Sequence, residues 1–231
     1  MLFRSVLSGG AAQGLVGELA DDFEQQTGLS IGGSFGAVGA MRDKLLAGEP
    51  CDLLILSQAL IDGLVQSGHA VASSVRPVGV VKTGVAVVSG QNHPKVDTRE
   101  ALQKAMSQAS AIYCPDPQKA TAGIHFYKVL TELGLPEGWQ DRLRTYPNGA
   151  TAMRALADDE VPGAIGCTQV TEILYTRGVD LIGLLPSPFE LSTVYAAAVC
   201  AQAQHPQQAQ ALIERMIAPE NAKLRKDGGF D

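Results

Sequence analysis

Short apolar runs alternate with stretches of helical period along almost the whole chain. Leu2–Leu7 predicts a strand, and Ser8-Gly9-Gly10 turns it into a helix. In that helix Ala12, Leu15, Val16, Leu19, Ala20 and Phe23 recur at three- and four-residue steps, and Gly28 stands where a C-cap is expected. A strand at Leu29–Phe35 follows, then a Gly-Ala-Val-Gly turn and a helix over Gly39–Ala47 closed by Gly48. Asp52–Leu56 predicts a compact strand, and Gln58–Ser67 a helix stopped by Gly68. Three strand–helix units in succession imply a parallel sheet covered on both faces.

The alternation pauses at Val78–Ser89, a long β-rich stretch suited to crossing between lobes. Asp97 and Thr98 then cap a helix reaching Ala109; Ala111–Cys114 is a strand, Pro115–Ala120 a loop, and Thr121–Leu133 a helix ended by Gly134. Thr151–Asp158 predicts a helix, Gly163–Cys167 a strand and Gln169–Arg177 a helix. Strands at Asp180–Leu185 and Ser192–Ala201 precede two closing helices, Pro206–Ile217 and Pro219–Arg225. The expected organisation is α/β with two lobes: residues 1–80 completed by 195–231, and residues 81–194 inserted between them.

Composition narrows the function classes. Apolar residues make up 45% of the 231 and charged ones 18%, which gives ample core and excludes disorder. The net charge is −6 with no basic stripe, so nucleic acid is not an expected partner. The longest aliphatic run, Val194–Ala201, falls far short of the ~20 residues of a spanning helix, and no membrane insertion is expected. Met1-Leu2-Phe3-Arg4-Ser5-Val6-Leu7 has no signal-peptide organisation, which places the chain as written in the cytoplasm, or in the periplasm if it is a trimmed mature form. Cys51, Cys114, Cys167 and Cys200 are widely spaced and lack zinc-site patterns, so they read as buried free thiols; neither metal nor cofactor is expected, and a monomer is.

The chemistry concentrates where strands hand over to helices through small residues: Ser8-Gly9-Gly10-Ala11, Phe35-Gly36-Ala37-Val38-Gly39 and Lys119-Ala120-Thr121-Ala122-Gly123. Small residues let a ligand approach the main chain, and a helix start offers unpaired N–H donors with a partial positive charge. Several such starts together would bind a small anion without Arg or Lys. Gly33-x-x-Gly36-x-x-Gly39 lacks dinucleotide-fingerprint spacing, and neither a P-loop nor a Gly-x-Ser-x-Gly elbow occurs.

These residues carry a family resemblance. Ser8-Gly9-Gly10-Ala11, the stretch Ser34 to Met41, the run Ala47 to Ile55, Asp116-Pro117 leading into Ala122-Gly123-Ile124, Pro162 to Gly166 and the closing Gly229-Phe230 resemble the molybdate-binding proteins of ABC transporters, in order over nearly the whole chain. The resemblance implies a type II periplasmic-binding-protein fold: two lobes, a two-strand hinge and a cleft that closes on a small anion. It implies ligand contacts from Ser8, Gly9, Gly10, Ala11, Ala37, Val38, Ser57, Thr121, Ala122, Ala150 and Cys167, and an ABC permease as partner if the chain is exported.

Hydroxyls that the family points at its oxyanion are missing here. The expected serines fall on Ala11 and Val38, and the expected tyrosine, placed just after the Pro162–Gly166 strand, falls on Cys167; Ser57 stands where alanine is common, and Thr121 replaces a proline. Losing such donors, each contributing about 1.5–3 kcal/mol to a charged acceptor, shifts the expected ligand from molybdate toward an organic carboxylate. The leading expectation is a solute-binding protein. The rival is a cofactor-independent isomerase of an unsaturated tricarboxylate such as aconitate, a type found among proteins similar to this family. Its base would come from Cys167, with a thiol pKa lowered by nearby helix ends, from His125 one turn into its helix, or from Lys119 just before it. His69, His93 and His205 read as surface residues, and Asp158-Asp159-Glu160 as a solvated helix end.

Overall fold

The computed structural model describes residues 2–159 and 161–231. The chain divides into two compact units: the residues up to Val81 together with Thr193–Asp231, and Lys82–Ser192.

In the first unit β1 (Leu2–Gly9), β2 (Ser30–Gly36) and β3 (Leu53–Ser57) lie parallel in the order β2–β1–β3. A 3-10 turn at Gly10–Ala12 and α1 (Gln13–Thr27) follow β1, while α2 (Val38–Leu46) follows β2 and α3 (Gln58–Gln66) follows β3. Next to β3 lies β9 (Ser192–Val199), antiparallel, with Leu53 opposite Val199 and Ser57 opposite Tyr195. The sheet is therefore mixed, not wholly parallel as the strand–helix succession predicts. Parallel neighbours need a crossover on the same sheet, and β9 arrives from the other unit without one.

The core explains the order. Leu53, Leu54, Ile55 and Leu56 are all fully buried, so β3 is covered on both faces. α1 contributes Leu15, Val16, Leu19 and Phe23, and α8 (Pro206–Ile217) contributes Ala209, Leu212, Ile213 and Met216. Burying each of the larger side chains contributes about 1.5–3 kcal/mol. Buried Asp52 fixes the start of α8: its Oδ1 accepts the N–H groups of Gln204 (2.6 Å) and His205 (3.0 Å), and Pro206 fills the first helical position. A 3-10 turn at Pro219–Asn221 and α9 (Ala222–Asp227) end the unit.

In the second unit β7 (Ile165–Gln169) lies between β4 (Arg76–Val88), to which it is antiparallel, and β5 (Ile112–Pro115), to which it is parallel. β6 (Leu143–Tyr146) extends the sheet beyond β5, and β8 (Val179–Leu184) pairs antiparallel with β4. α4 (Arg99–Gln108) and α5 (Thr121–Glu132) share one core with Val85, Val87, Cys114, Ile165 and Cys167. A second core joins Met153 and Leu156 of α6 (Gly149–Ala157) to Ala86 and Tyr113. After β7 comes the short α7 (Val170–Tyr175).

Two differences from the sequence reading matter below. The 3-10 turn at Trp139–Arg142 and strand β6 were not predicted, because four residues give too little alternation to count. Arg142 nevertheless has a structural role, donating to the carbonyls of Met106, Ser107 and Ala109 at the end of α4. β7 also runs two residues later than predicted, which places Cys167 inside the strand instead of at its end.

α5 sits so tightly on the end of β5 that a Cβ at Gly123 would lie 2.4 Å from the carbonyl oxygens of both Pro115 and Asp116. Gly123→Ala is expected to lower stability by about 1–3 kcal/mol, since neither backbone oxygen can yield without moving the helix. Gly17→Ala, in α1 where nothing lies within 4 Å, should instead raise stability by about 0.5–1 kcal/mol. Urea unfolding of the two variants checks the contrast; equal responses would remove the close packing of α5.

Candidate functional site

An α-helix start leaves N–H groups that the helix itself cannot satisfy. In the first unit three such starts follow the C-terminal ends of parallel strands, at Gly9–Gly10, Ala37–Val38 and Ser57–Gln58. None is closed by a side-chain cap; even Ser57, at the N-cap of α3, does not turn its hydroxyl onto the backbone. Their approach is close: a Cβ on Gly9 would lie 2.8 Å from Tyr195 Cε1 and 2.8 Å from Val38 Cγ1, and 3.5 Å from the Tyr195 hydroxyl. The end of β1, the start of α2 and the middle of β9 thus meet at one point, and only glycine fits there. Ser8, fully buried, donates its hydroxyl to the Gly9 carbonyl at 2.8 Å.

The second unit has two helix starts of different character. α5 opens at Thr121–Ala122 with Ala120 at its N-cap and no side-chain cap. α6 is closed twice over. Asn148 Oδ1 accepts the Thr151 N–H at 2.9 Å, and the buried carboxylate of Glu172 takes the N–H groups of Ala150 and Gly149. Thr168 donates its hydroxyl to Glu172 Oε2 at 2.6 Å. Gly149 is glycine for a plain reason, since a Cβ there would overlap Glu172 Oε2 and Thr168 Oγ1. Burial pushes the Glu172 carboxyl above its ordinary value, while Thr168 and the backbone N–H groups of Ala150, Gly149 and Gln169 pull it down less strongly.

The predicted contacts are redistributed accordingly. Ser8, Gly9, Gly10, Ala11, Ala37, Val38 and Ser57 stand at the strand-to-helix junctions of the first unit, and Thr121 and Ala122 at that of α5. The Ala150 N–H already has Glu172 as its partner. Cys167 is fully buried in the α4–α5 core, and burial pushes its thiol well above the ordinary cysteine value, with neighbouring Cys114 adding to the effect. The lowered thiol pKa expected from the sequence is therefore reversed. His125 is packed, with Nε2 2.8 Å from the Phe189 carbonyl oxygen, and Lys119 is exposed on the loop before α5.

Other expectations also change. Asp159 accepts the Tyr113 hydroxyl at 2.7 Å and the Val161 N–H at 2.8 Å, so it is not simply a solvated helix end; Glu160 lies outside the described residues. Burial together with Asp159 pushes the Tyr113 phenol up to about 12. His93 is exposed, as expected, and sits 3.3 Å from Asp180. All four cysteines are free and buried, yet they fall into two neighbouring pairs, because Cys200 hydrogen-bonds Cys51 as Cys114 approaches Cys167. Cys51, Cys200, His69 and His205 line a cavity of about 500 Å³ at the start of β3 and the end of β9, at the opposite end of β3 from the start of α3.

Four residues, Tyr195 in the first unit and Thr83, Gln169 and Glu172 in the second, escaped the sequence reading. Tyr195 comes to Ser57 only through strand pairing, and Glu172 to Gly149 only through the packing of α7 on α6. Thr83 and Gln169 face each other across β4 and β7. The one local signal was Thr168-x-x-x-Glu172, a four-residue step on a helix start.

The model of the bacterial extracellular solute-binding protein family matches residues 5–231. The chain is 26% identical over 237 aligned residues to the aconitate isomerase of a Pseudomonas species, covering 98% of this chain and 86% of the relative. It is 21% identical over 217 residues to the molybdate-binding protein ModA of Escherichia coli K12, covering 92% of this chain and 82% of the relative. Among solved structures it shares its fold with the periplasmic molybdate-binding protein of Azotobacter vinelandii, with a TM-score of 0.81 at 20% identity over 99% of this chain and 98% of the other.

Glu172 makes a pH prediction. A carboxyl that holds its proton more tightly folded than unfolded contributes stability that is complete below the ordinary value of 4.5 and is lost as pH rises through the folded value. The stability of the wild type relative to Glu172→Gln should therefore fall with rising pH, with a limiting slope of about 1.4 kcal/mol per pH unit. Paired urea unfolding between about pH 4 and pH 8 measures it. A flat or rising difference would show that the backbone donors outweigh burial.

Proposed function

The chain belongs to the bacterial extracellular solute-binding protein family, of the molybdate-binding-like type, and we propose that its solute is a small organic anion carrying carboxylate groups. The observation that carries this reading is that each unit has helix starts left without side-chain caps, the first at Gly10, Val38 and Gln58 and the second at Thr121. Backbone donors at such starts hold negative charge without a basic residue, so the net charge of −6 is no obstacle. A carboxylate, planar and with its charge on two oxygens, asks fewer donors of each helix start than a tetrahedral dianion does. Ala11, Val38 and Cys167 supply no hydroxyl, which supports the carboxylate over molybdate. Delivery to a membrane permease and residence outside the cytoplasm go with this reading.

A second reading is favoured by one observation, the similarity to an aconitate isomerase over 98% of the chain. In it the same backbone donors hold the carboxylates of an unsaturated tricarboxylate while a proton moves along its allylic system. The burial of Cys167 and the engagement of His125 by Phe189 count against both as its base.

Isothermal titration and thermal melting with citrate, tricarballylate, cis- and trans-aconitate, molybdate and sulfate test the binding reading. A carboxylate present at a hundred times its Kd should stabilise the fold by about 2.7 kcal/mol, a Tm rise of roughly 5–10 °C. A response to molybdate or sulfate alone, or to no member of the panel, would sink it. Proton NMR of trans-aconitate with the protein in deuterated water separates the readings. Conversion to the cis isomer with deuterium uptake establishes the isomerase, and unchanged spectra leave binding alone.

A further inference from the structure

Thr83 and Gln169 stand directly opposite each other in the antiparallel pair β4–β7, so their side chains share one face of the sheet. That face carries Val85, Val87, Ile165 and Cys167 and is the one covered by α5. Both residues are almost completely buried, at 1% and 3% exposure. Yet Thr83 Oγ1, Gln169 Nε2 and Gln169 Oε1 have no hydrogen-bond partner among the described residues. The backbone of Thr83 is fully engaged, its N–H with Leu191 and its carbonyl with Leu185, both at 3.1 Å, so only the side chain is left over. Buried polar atoms without partners are rare, and three on one cross-strand pair ask for an explanation.

The pair also sits at a particular end of the sheet. β5 runs parallel to β7 with Tyr113 beside Gly166, which brings the residues after Pro115 level with Gln169. From there the chain turns into α5, whose first turn is the uncapped start at Thr121–Ala122. An anion-attracting helix start and an unpartnered amide–hydroxyl pair therefore occupy one end of one sheet face.

Their chemistry is selective. Whichever way the Gln169 amide is oriented, it presents two N–H donors at one end and an acceptor oxygen at the other. A fully deprotonated oxyanion such as molybdate or sulfate only accepts, and would leave the amide oxygen unmatched. We infer that Thr83 and Gln169 recognise a hydroxyl group next to a carboxylate held at the α5 start, so that the ligand is a hydroxy-carboxylate. This rests on the carboxylate reading above and sharpens it. A site built to pair with a hydroxyl rejects the analogue that lacks it, because its own polar atoms are then left unpaired.

Matched acids differing by one hydroxyl, citrate against tricarballylate and malate against succinate, provide the test by isothermal titration with the wild type, Gln169→Met and Thr83→Val. In the wild type the hydroxylated member should bind at least roughly tenfold tighter. In Gln169→Met that ratio should collapse toward one, while the affinity for tricarballylate changes by less than about threefold. The ligand-free variants should melt at or above the wild-type temperature, because each loses a buried polar group that had no partner. Equal binding of both members by the wild type, or a ratio that survives in Gln169→Met, would overturn the inference and leave the pair as a buried structural feature. Loss of several degrees in ligand-free Tm with the ratio retained would overturn it too. If the wild type binds molybdate but none of the four acids, the carboxylate reading itself has failed, which is a different result.

Discussion

Every helix must find acceptors for its first N–H groups, and the way this chain meets that demand organises the rest of the structure. At three helix starts the chain supplies an acceptor of its own. Thr98 caps α4, Asn148 and Glu172 close α6, and Asp52 anchors the turn into α8. At the starts that follow β2, β3, β5 and β7 no side-chain cap is made. An absent cap gives up about 0.5–2 kcal/mol of stability at each helix. The N-cap residues at the first three of these starts are small, so the donors there stay approachable.

The contrast between α5 and α6 shows the principle inside a single unit. Both helices follow parallel strands of one sheet, and both starts would attract an anion. At α6 the acceptor is part of the protein: Glu172 takes the two N–H groups, Thr168 orients it, and Gly149 makes room for it. At α5 nothing equivalent is supplied, and the neighbouring amide of Gln169 is left without a partner. One sheet thus carries the same helix-start geometry once with an internal carboxyl group and once without a side-chain cap.

Much of the fold could be read from residue order. The alternation of apolar runs with helical periods predicted every helix longer than six residues and every strand but β6, because hydrophobic spacing is a local property. What could not be read is how distant segments meet. Tyr195 at Ser57, Thr83 at Gln169 and Glu172 at Gly149 are all products of pairing or packing, and no local signal gives strand partners. The case of Cys167 is finer. Its strand was predicted two residues too early, and at a side-chain period of two the residue remains on a defined face but moves from the strand's end into its buried interior. The junction residues were legible because glycine and alanine at a strand-to-helix turn carry a direct steric meaning.

The placement of β9 has a consequence for how the protein is made. The second unit is one continuous segment, and its strands and helices have all been synthesised once Ser192 has left the ribosome. The first unit is different, since β9 lies against β3 and the buried stripe of α8 completes its core, and both come from the last part of the chain. Until they emerge, one edge of β3 has no strand to pair with and its apolar residues lack part of their cover. All of the inserted unit's strands are thus available for pairing before the sheet of the unit begun earliest can be completed.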